Sequence, residues 1–131
     1  MQQRDSVPRL PESELDIMLA IWDAEEIPVG RVYFEKSLSH KKWSVNALNS
    51  FLTRLEDKGF LQSNREGKSK YYSPLVARES YLSQESKSIL QKLYRGSLKN
   101  FILSMSGQEQ LSNGEIEELK QYLDNLGKEG K

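Results

Sequence analysis

The stretch WSVNALNSFLTRLEDKGFLQ, residues 43–62, decides how the rest of the chain is read. Val45, Leu48, Leu52 and Leu55 recur in steps of three, four and three, and Ala47 and Phe51 widen the stripe. That spacing predicts an amphipathic helix with one buried side. Ser44 stands where an N-cap belongs, and Gly59 where a C-cap glycine belongs. The other face carries Asn46, Asn49, Ser50, Thr53 and Arg54, where an ordinary solvated helix would carry Lys and Glu. Short hydrogen-bonding side chains beside one guanidinium suit close approach to something polar and negatively charged.

Charge on either side of this helix points the same way. The chain of 131 residues has zero formal net charge, but the distribution is uneven. Residues 1–35 hold three basic and eight acidic side chains. Residues 36–70 hold eight basic ones (Lys36, Lys41, Lys42, Arg54, Lys58, Arg65, Lys68 and Lys70) and three acidic. A local basic block inside a neutral protein is an electrostatic footprint for phosphate.

Upstream, PESELDIMLAIWDAEE places Leu15, Met18, Leu19, Ile21 and Trp22 at helical spacing, with Ser13 as expected cap and Asp16 imitating a capping box. Ile27-Pro28 breaks the pattern. VGRVYFEKSLSH then predicts a second helix with Val32, Phe34 or Tyr33, and Leu38 inward. Downstream the period changes to that of strands: FLQSNR and SKYYSP flank EGK, a hairpin closed by Pro74. Residues 1–10 show no periodicity and are expected to form a flexible arm.

Three helices and a hairpin in this order predict a mainly α fold with a small β-hairpin: a winged helix-turn-helix domain over residues 11–76. In such a domain the third helix enters the major groove of DNA and the hairpin is the wing that touches backbone phosphates. Ser44, Asn46, Ala47, Asn49, Ser50 and Arg54 on the helix, with Arg65, Lys68 and Lys70 on the wing, are the expected DNA-binding residues.

From residue 77 the chain is helical throughout. Tyr81, Leu82, Ile89, Leu90, Leu93 and Tyr94 form one apolar stripe ending at Gly96. Leu98, Phe101, Ile102 and Met105 form a shorter one ending at Gly107. The last helix opens on Ser112-Asn-Gly-Glu115, a complete capping-box pattern, and continues with Ile116, Leu119, Leu123 and Leu126. So few residues do not bury these stripes among themselves. Residues 77–131 are therefore expected to form a helical dimerisation region, meeting a second copy about a two-fold axis.

Other chemistry is thin. With no cysteine and a single histidine, His40 among lysines, the sequence offers no thiolate metal site and no nucleophile–base pair. It also lacks a glycine-rich phosphate loop, so no enzyme, cofactor or metal is expected. No apolar run is long enough to span a bilayer, and the expected compartment is the cytoplasm. The competing reading is a winged-helix adaptor that presents the same polar helix face to a protein rather than to DNA.

LPESELDIMLAIWD, the helix over 43–62, KYYSPLV, LQKLYRGSLKNFIL and GEIEELKQYLDNL, in that order, resemble the penicillinase repressor family (the BlaI/MecI/CopY type) over residues 10 to 127. The resemblance implies a cytoplasmic homodimer on a palindromic operator, repressing genes of β-lactam resistance or, in one branch, of copper transport. The copper branch ends in a cysteine cluster that this sequence lacks, so the resemblance is to the β-lactam type. The family places a Lys or other polar residue and then Thr after its helix cap, where this chain has Asn46 and Ala47. Asn46 suits adenine and Ala47 a thymine methyl, so the operator is expected to differ. The resemblance further implies inactivation as in the β-lactam branch, by a membrane sensor through proteolysis in the C-terminal region, between Asn and Phe of a VLNF-like motif. The matching stretch here is Ile102-Leu103-Ser104-Met105, which would put cleavage at Ser104-Met105.

Overall fold

The computed structural model describes residues 7–106 and 112–129. The chain divides between Ser86 and Lys87 into two compact units. The first holds α1 (Glu12–Trp22), β1 (Val29–Gly30), α2 (Arg31–Ser37), a 3-10 turn (Ser39–Lys41), α3 (Val45–Asp57), β2 (Leu61–Glu66), β3 (Ser69–Pro74) and the start of α4 (Arg78–Tyr94). The second holds the rest of α4, then α5 (Leu98–Ser106) and α6 (Asn113–Glu129).

Both ends of α3 are built as its sequence predicts. The Ser44 hydroxyl accepts the Ala47 N–H at 3.0 Å, satisfying one of the free donors of the first turn. At the far end Gly59 adopts φ +84°, where a side chain would be strained. Gly59 N–H then reaches the Glu56 carbonyl at 3.0 Å and Phe60 N–H the Leu55 carbonyl at 2.9 Å. This paired bonding is a Schellman motif, and it turns the chain straight into β2. Leu48, Leu52 and Leu55 are buried, as the stripe requires. Val45 is not: it is 55% exposed. Trp43 instead secures that end, its ring 4.9 Å from Phe51 in an edge-on arrangement.

The sheet has three strands in the order β1-β3-β2, all antiparallel. Arg65 faces Lys70 and Glu66 faces Ser69, so the hairpin turn is the two residues Gly67-Lys68, with Gly67 at φ +65°. A glycine with positive φ at the first turn position matches the twist of the flanking strands. The third strand, β1, is absent from the sequence-based expectation, since two residues carry no periodicity. It pairs Val29 with Tyr72 and Gly30 with Tyr71, tying the chain before α2 to the wing.

Ile17, Met18 and Ile21 of α1, Phe34 of α2, the three leucines of α3, and Phe60, Leu61 and Tyr72 of the hairpin form one core. Several expectations are corrected around it. Ile17, outside the expected stripe of α1, is fully buried, whereas Val32 of α2 is 58% exposed. Pro11 rather than Ser13 occupies the N-cap position of α1, without a side-chain cap bond. Asp16 instead pairs with Lys41 at 2.9 Å.

The larger correction concerns residues 7–10 and Tyr81. Residues 1–6 of the expected arm lie outside the described residues, but 7–10 are bound. Leu10 is buried and its N–H donates to the Tyr81 hydroxyl at 2.9 Å. Val7 N–H donates to Gln84 Oε1 at 2.9 Å, the Gln84 amide donates back to the Val7 carbonyl, and Arg9 meets Glu85 at 2.7 Å. Tyr81 is 2% exposed, its ring 5.9 Å from Trp22 and 5.8 Å from Phe60. It belongs to the winged-helix core and not to a dimer face. A buried aromatic with a satisfied hydroxyl is a core residue whichever helix carries it.

In the second unit, α6 opens with a reciprocal capping box: Glu115 N–H donates to Ser112 Oγ at 3.1 Å, and Ser112 N–H to Glu115 Oε1 at 3.0 Å. α4 ends at Tyr94, where Arg95 and Gly96 both take positive φ. Tyr94 packs edge-on against Phe101 at 5.4 Å, and its hydroxyl meets that of Ser104 at 2.9 Å. Gly107, the expected end of α5, lies outside the described residues.

Candidate nucleic-acid interface

The 3-10 turn after α2 and the left-handed backbone of Lys42 (φ 58°) swing the chain into α3, so the two helices form a helix-turn-helix. Asn46, Ser50, Thr53 and Arg54 are exposed, and Ala47 and Asn49 half-buried. The outward face of α3 is therefore the one that the sequence predicts, short polar side chains beside one guanidinium. Beside it the wing carries Arg65 and Lys68, both exposed and without an ion-pair partner among the described residues.

Between α3 and the wing lies a concavity of about 680 Å³. Asn49 and Thr53 line it from α3, Arg65, Lys68 and Lys70 from the wing, and Arg31 from the start of α2. Arg31 is absent from the sequence-based set, because its charge is lost in the acidic count of residues 1–35. Its Nη1 donates to Asn49 Oδ1 at 2.8 Å and its Nε lies 3.4 Å from Glu35.

Besides Asn49, three expected contact residues are partly committed within the protein. Ser44 uses its oxygen as the helix cap. Lys70 is not a free wing cation: its ammonium sits 3.3 Å from Glu56 and 5.8 Å from the Tyr72 ring. Glu56 also accepts from the Ser63 hydroxyl at 2.9 Å, so one carboxylate fastens both wing strands to α3. Arg54 lies over the Phe51 ring at 6.0 Å, with Nη1 3.9 Å from Glu14, yet its side chain stays 60% exposed. Its guanidinium is therefore left largely open to solvent.

Glu14 is a second residue that periodicity does not reveal. It is 2% exposed and its carboxylate pairs with Lys58 at the end of α3. Burying a carboxylate without such a partner is costly, so the pair fixes the C-terminal end of α3 on α1. Burial likewise pushes the Tyr72 phenol above its ordinary pKa, with the nearby Lys70 ammonium opposing it. The hydrogen bond to Asp16 holds the Lys41 ammonium above its ordinary range, against desolvation. Among the described residues no group of three His, Asp or Glu side chains could hold a metal ion, and no helix is long and apolar enough to cross a membrane.

Comparison with known proteins gives one consistent answer. Residues 10–125 match the family described as penicillinase repressor. A penicillinase repressor of Bacillus licheniformis is 33% identical over 118 residues, covering 90% of this chain and 91% of the relative. The methicillin resistance regulatory protein MecI of Staphylococcus aureus is 29% identical over 87% of this chain and 92% of its own length. A penicillinase repressor of Staphylococcus aureus is 28% identical over 88% and 91%. The matched span runs from the first buried residue of the winged helix into α6, so this chain is a member of the penicillinase repressor family.

Proposed function

We propose that the protein is a cytoplasmic transcriptional repressor of the β-lactam type, controlling a resistance operon and acting as a homodimer on a palindromic operator. The observation that carries the reading is the pairing of a polar helix face with unpaired wing cations across one concavity. Asn46, Asn49, Ser50 and Thr53 have the length and polarity for base edges, while Arg65 and Lys68 suit the adjacent phosphates. The names of the relatives, penicillinase repressor and methicillin resistance regulatory protein, support the choice of regulated genes.

The dimer reading is supported by what the second unit leaves in water. Leu93 is 70% exposed, Leu98 47%, Leu126 45%, Leu123 42% and Ile116 38%. Ile89, Leu90, Tyr94, Phe101, Ile102 and Leu119 are half-buried, and Leu82, on the first unit, is 41% exposed. Covering the exposed half of each leucine is worth about 1 kcal/mol. A second copy presents the same stripes and closes the arrangement by two-fold symmetry.

Inactivation by a membrane sensor through cleavage at Ser104-Met105 remains part of the proposal. Met105 is 42% exposed, but the Ser104 hydroxyl is engaged by Tyr94 and donates to the Phe101 carbonyl at 2.9 Å. Since the bond lies within α5, a protease would have to unwind that turn first. Full-length mass after incubation with the cognate sensor would remove this element of the proposal.

The deciding experiment is a mobility shift on the DNA upstream of the protein's own gene at two salt concentrations. Tight binding that resists competitor and weakens as salt rises is expected. No binding at low salt would overturn the repressor reading in favour of a winged-helix protein adaptor.

A further inference from the structure

Two of the side chains around the concavity are joined to each other. Arg31 opens α2, and its guanidinium is held on two sides: Nε faces Glu35 at 3.4 Å and Nη1 donates to Asn49 Oδ1 at 2.8 Å. Glu35 stands one turn along the same helix, so it aims the free edge of the guanidinium at α3 instead of leaving it to rotate. The Asn49 amide is oriented in turn. One lone pair of its oxygen is taken by Arg31, which holds the oxygen toward α2, and its NH2 group is turned away from Arg31. Asn46, one turn earlier on α3 and exposed, has no such partner among the described residues.

Base edges ask different things of an amide. In the major groove adenine offers an acceptor beside a donor, and an Asn pairs with it through both of its ends. Guanine offers two acceptors and no donor. An Asn whose oxygen is held away from the base and whose NH2 group faces it can bond only N7 of adenine, leaving the adenine amino group without an acceptor. It can bond N7 or O6 of guanine with no donor left over.

We propose that Arg31 is a specificity-determining positioning residue, which holds the Asn49 carbonyl so that Asn49 faces the operator as a hydrogen-bond donor and selects guanine over adenine there. Asn46 keeps both ends of its amide for adenine. One α2 side chain thus gives two asparagines on the same helix opposite preferences. The inference rests on the DNA-binding reading given above.

The test is selection of full-length protein on a random duplex library, followed by sequencing of the bound DNA. Wild type is expected to prefer guanine over adenine by about tenfold at one position of each half-site, the size of one well-made base contact. Asn49→Asp, which keeps a partner for Arg31 but has no donor, should lose that preference and leave the other positions unchanged. Arg31→Met should move the same position toward adenine. Both residues are at least partly solvent-exposed, and a thermal melt of each variant checks that the fold survives. If Arg31→Met lowers affinity equally on all sequences with the preference unchanged, Arg31 is a phosphate contact and the inference fails. It fails equally if Asn49→Asp keeps the guanine preference. Wild type that selects no sequence at all would overturn the repressor reading itself, a separate result.

Discussion

Replacing Tyr81 by Phe removes a single oxygen, and the structure says what that oxygen does. It accepts the N–H of Leu10, itself a buried residue, at 2.9 Å. Without it that donor is stranded inside the core, which costs about 1–3 kcal/mol. With a mid-range urea dependence of roughly 2 kcal/mol per molar, the unfolding midpoint should fall by about 0.5–1.5 M. Tyr81→Ala also removes a ring packed between Trp22 and Phe60, and about 3–5 kcal/mol is expected for that loss. The assay is urea unfolding followed by tryptophan fluorescence at fixed protein concentration, with oligomeric state read by sedimentation. A Tyr81 on a dimer seam would behave differently: Phe would be tolerated, and Ala would give a monomer of undiminished stability. That pair of results would refute the assignment of Tyr81 to the winged-helix core, and with it the binding of residues 7–10.

Other outcomes follow from the same geometry. Arg54→Ala should weaken operator binding by about 1–3 kcal/mol if the guanidinium meets a base; if it meets phosphate, the loss should be uniform across sequences with a salt slope shallower by about 1. Unchanged binding in the mobility shift would remove Arg54 from the interface. Leu93→Asp and Leu119→Asp should each yield monomers by sedimentation and weaken operator binding together with assembly; a variant that stays dimeric would show the seam to lie elsewhere. Burial raises the Tyr72 pKa above 10.0, so the folded state holds that proton more tightly than the unfolded chain. The associated stability is complete below pH 10 and declines as pH rises through the elevated value. Lys41, also raised, adds a slope of the same sign, so the readout is the difference between Tyr72→Phe and wild type in urea midpoints from pH 9 to 11, about one unit either side of the ordinary tyrosine value. Parallel profiles for the two proteins would contradict it.

The elements that the sequence announces are those whose determinants lie within a few residues of one another. The Ser44 cap, the Gly59 turn, the Ser112–Glu115 box and the wing turn at Gly67 are local bargains between neighbours, and each forms as expected. What stays hidden is settled at long range. β1 is two residues long and exists only because β3 accepts it. Tyr81 belongs to a helix whose stripe serves two clients, and its core role depends on Leu10, 71 residues away in sequence. Glu14 is an acidic residue in an acidic stretch until the fold brings Lys58 to it. Arg31 escaped the list of interface residues for a similar reason, since a charge tally by segment assigns it to the wrong neighbourhood.

The ion pairs described above thin out the basic block. Of the eight cations in residues 36–70, Lys41, Lys58 and Lys70 face internal carboxylates at contact distance, and Arg54 stands near one. Lys36, Lys42, Arg65 and Lys68 remain unpaired among the described residues. If all four met phosphate, each chain would release about four condensed counterions, a salt exponent of roughly −4. That is about half of what eight free cations would give, so sequence-independent attraction to phosphate is weaker than the composition of this block implies. Fewer copies are then held on random sequence than eight free cations would hold there.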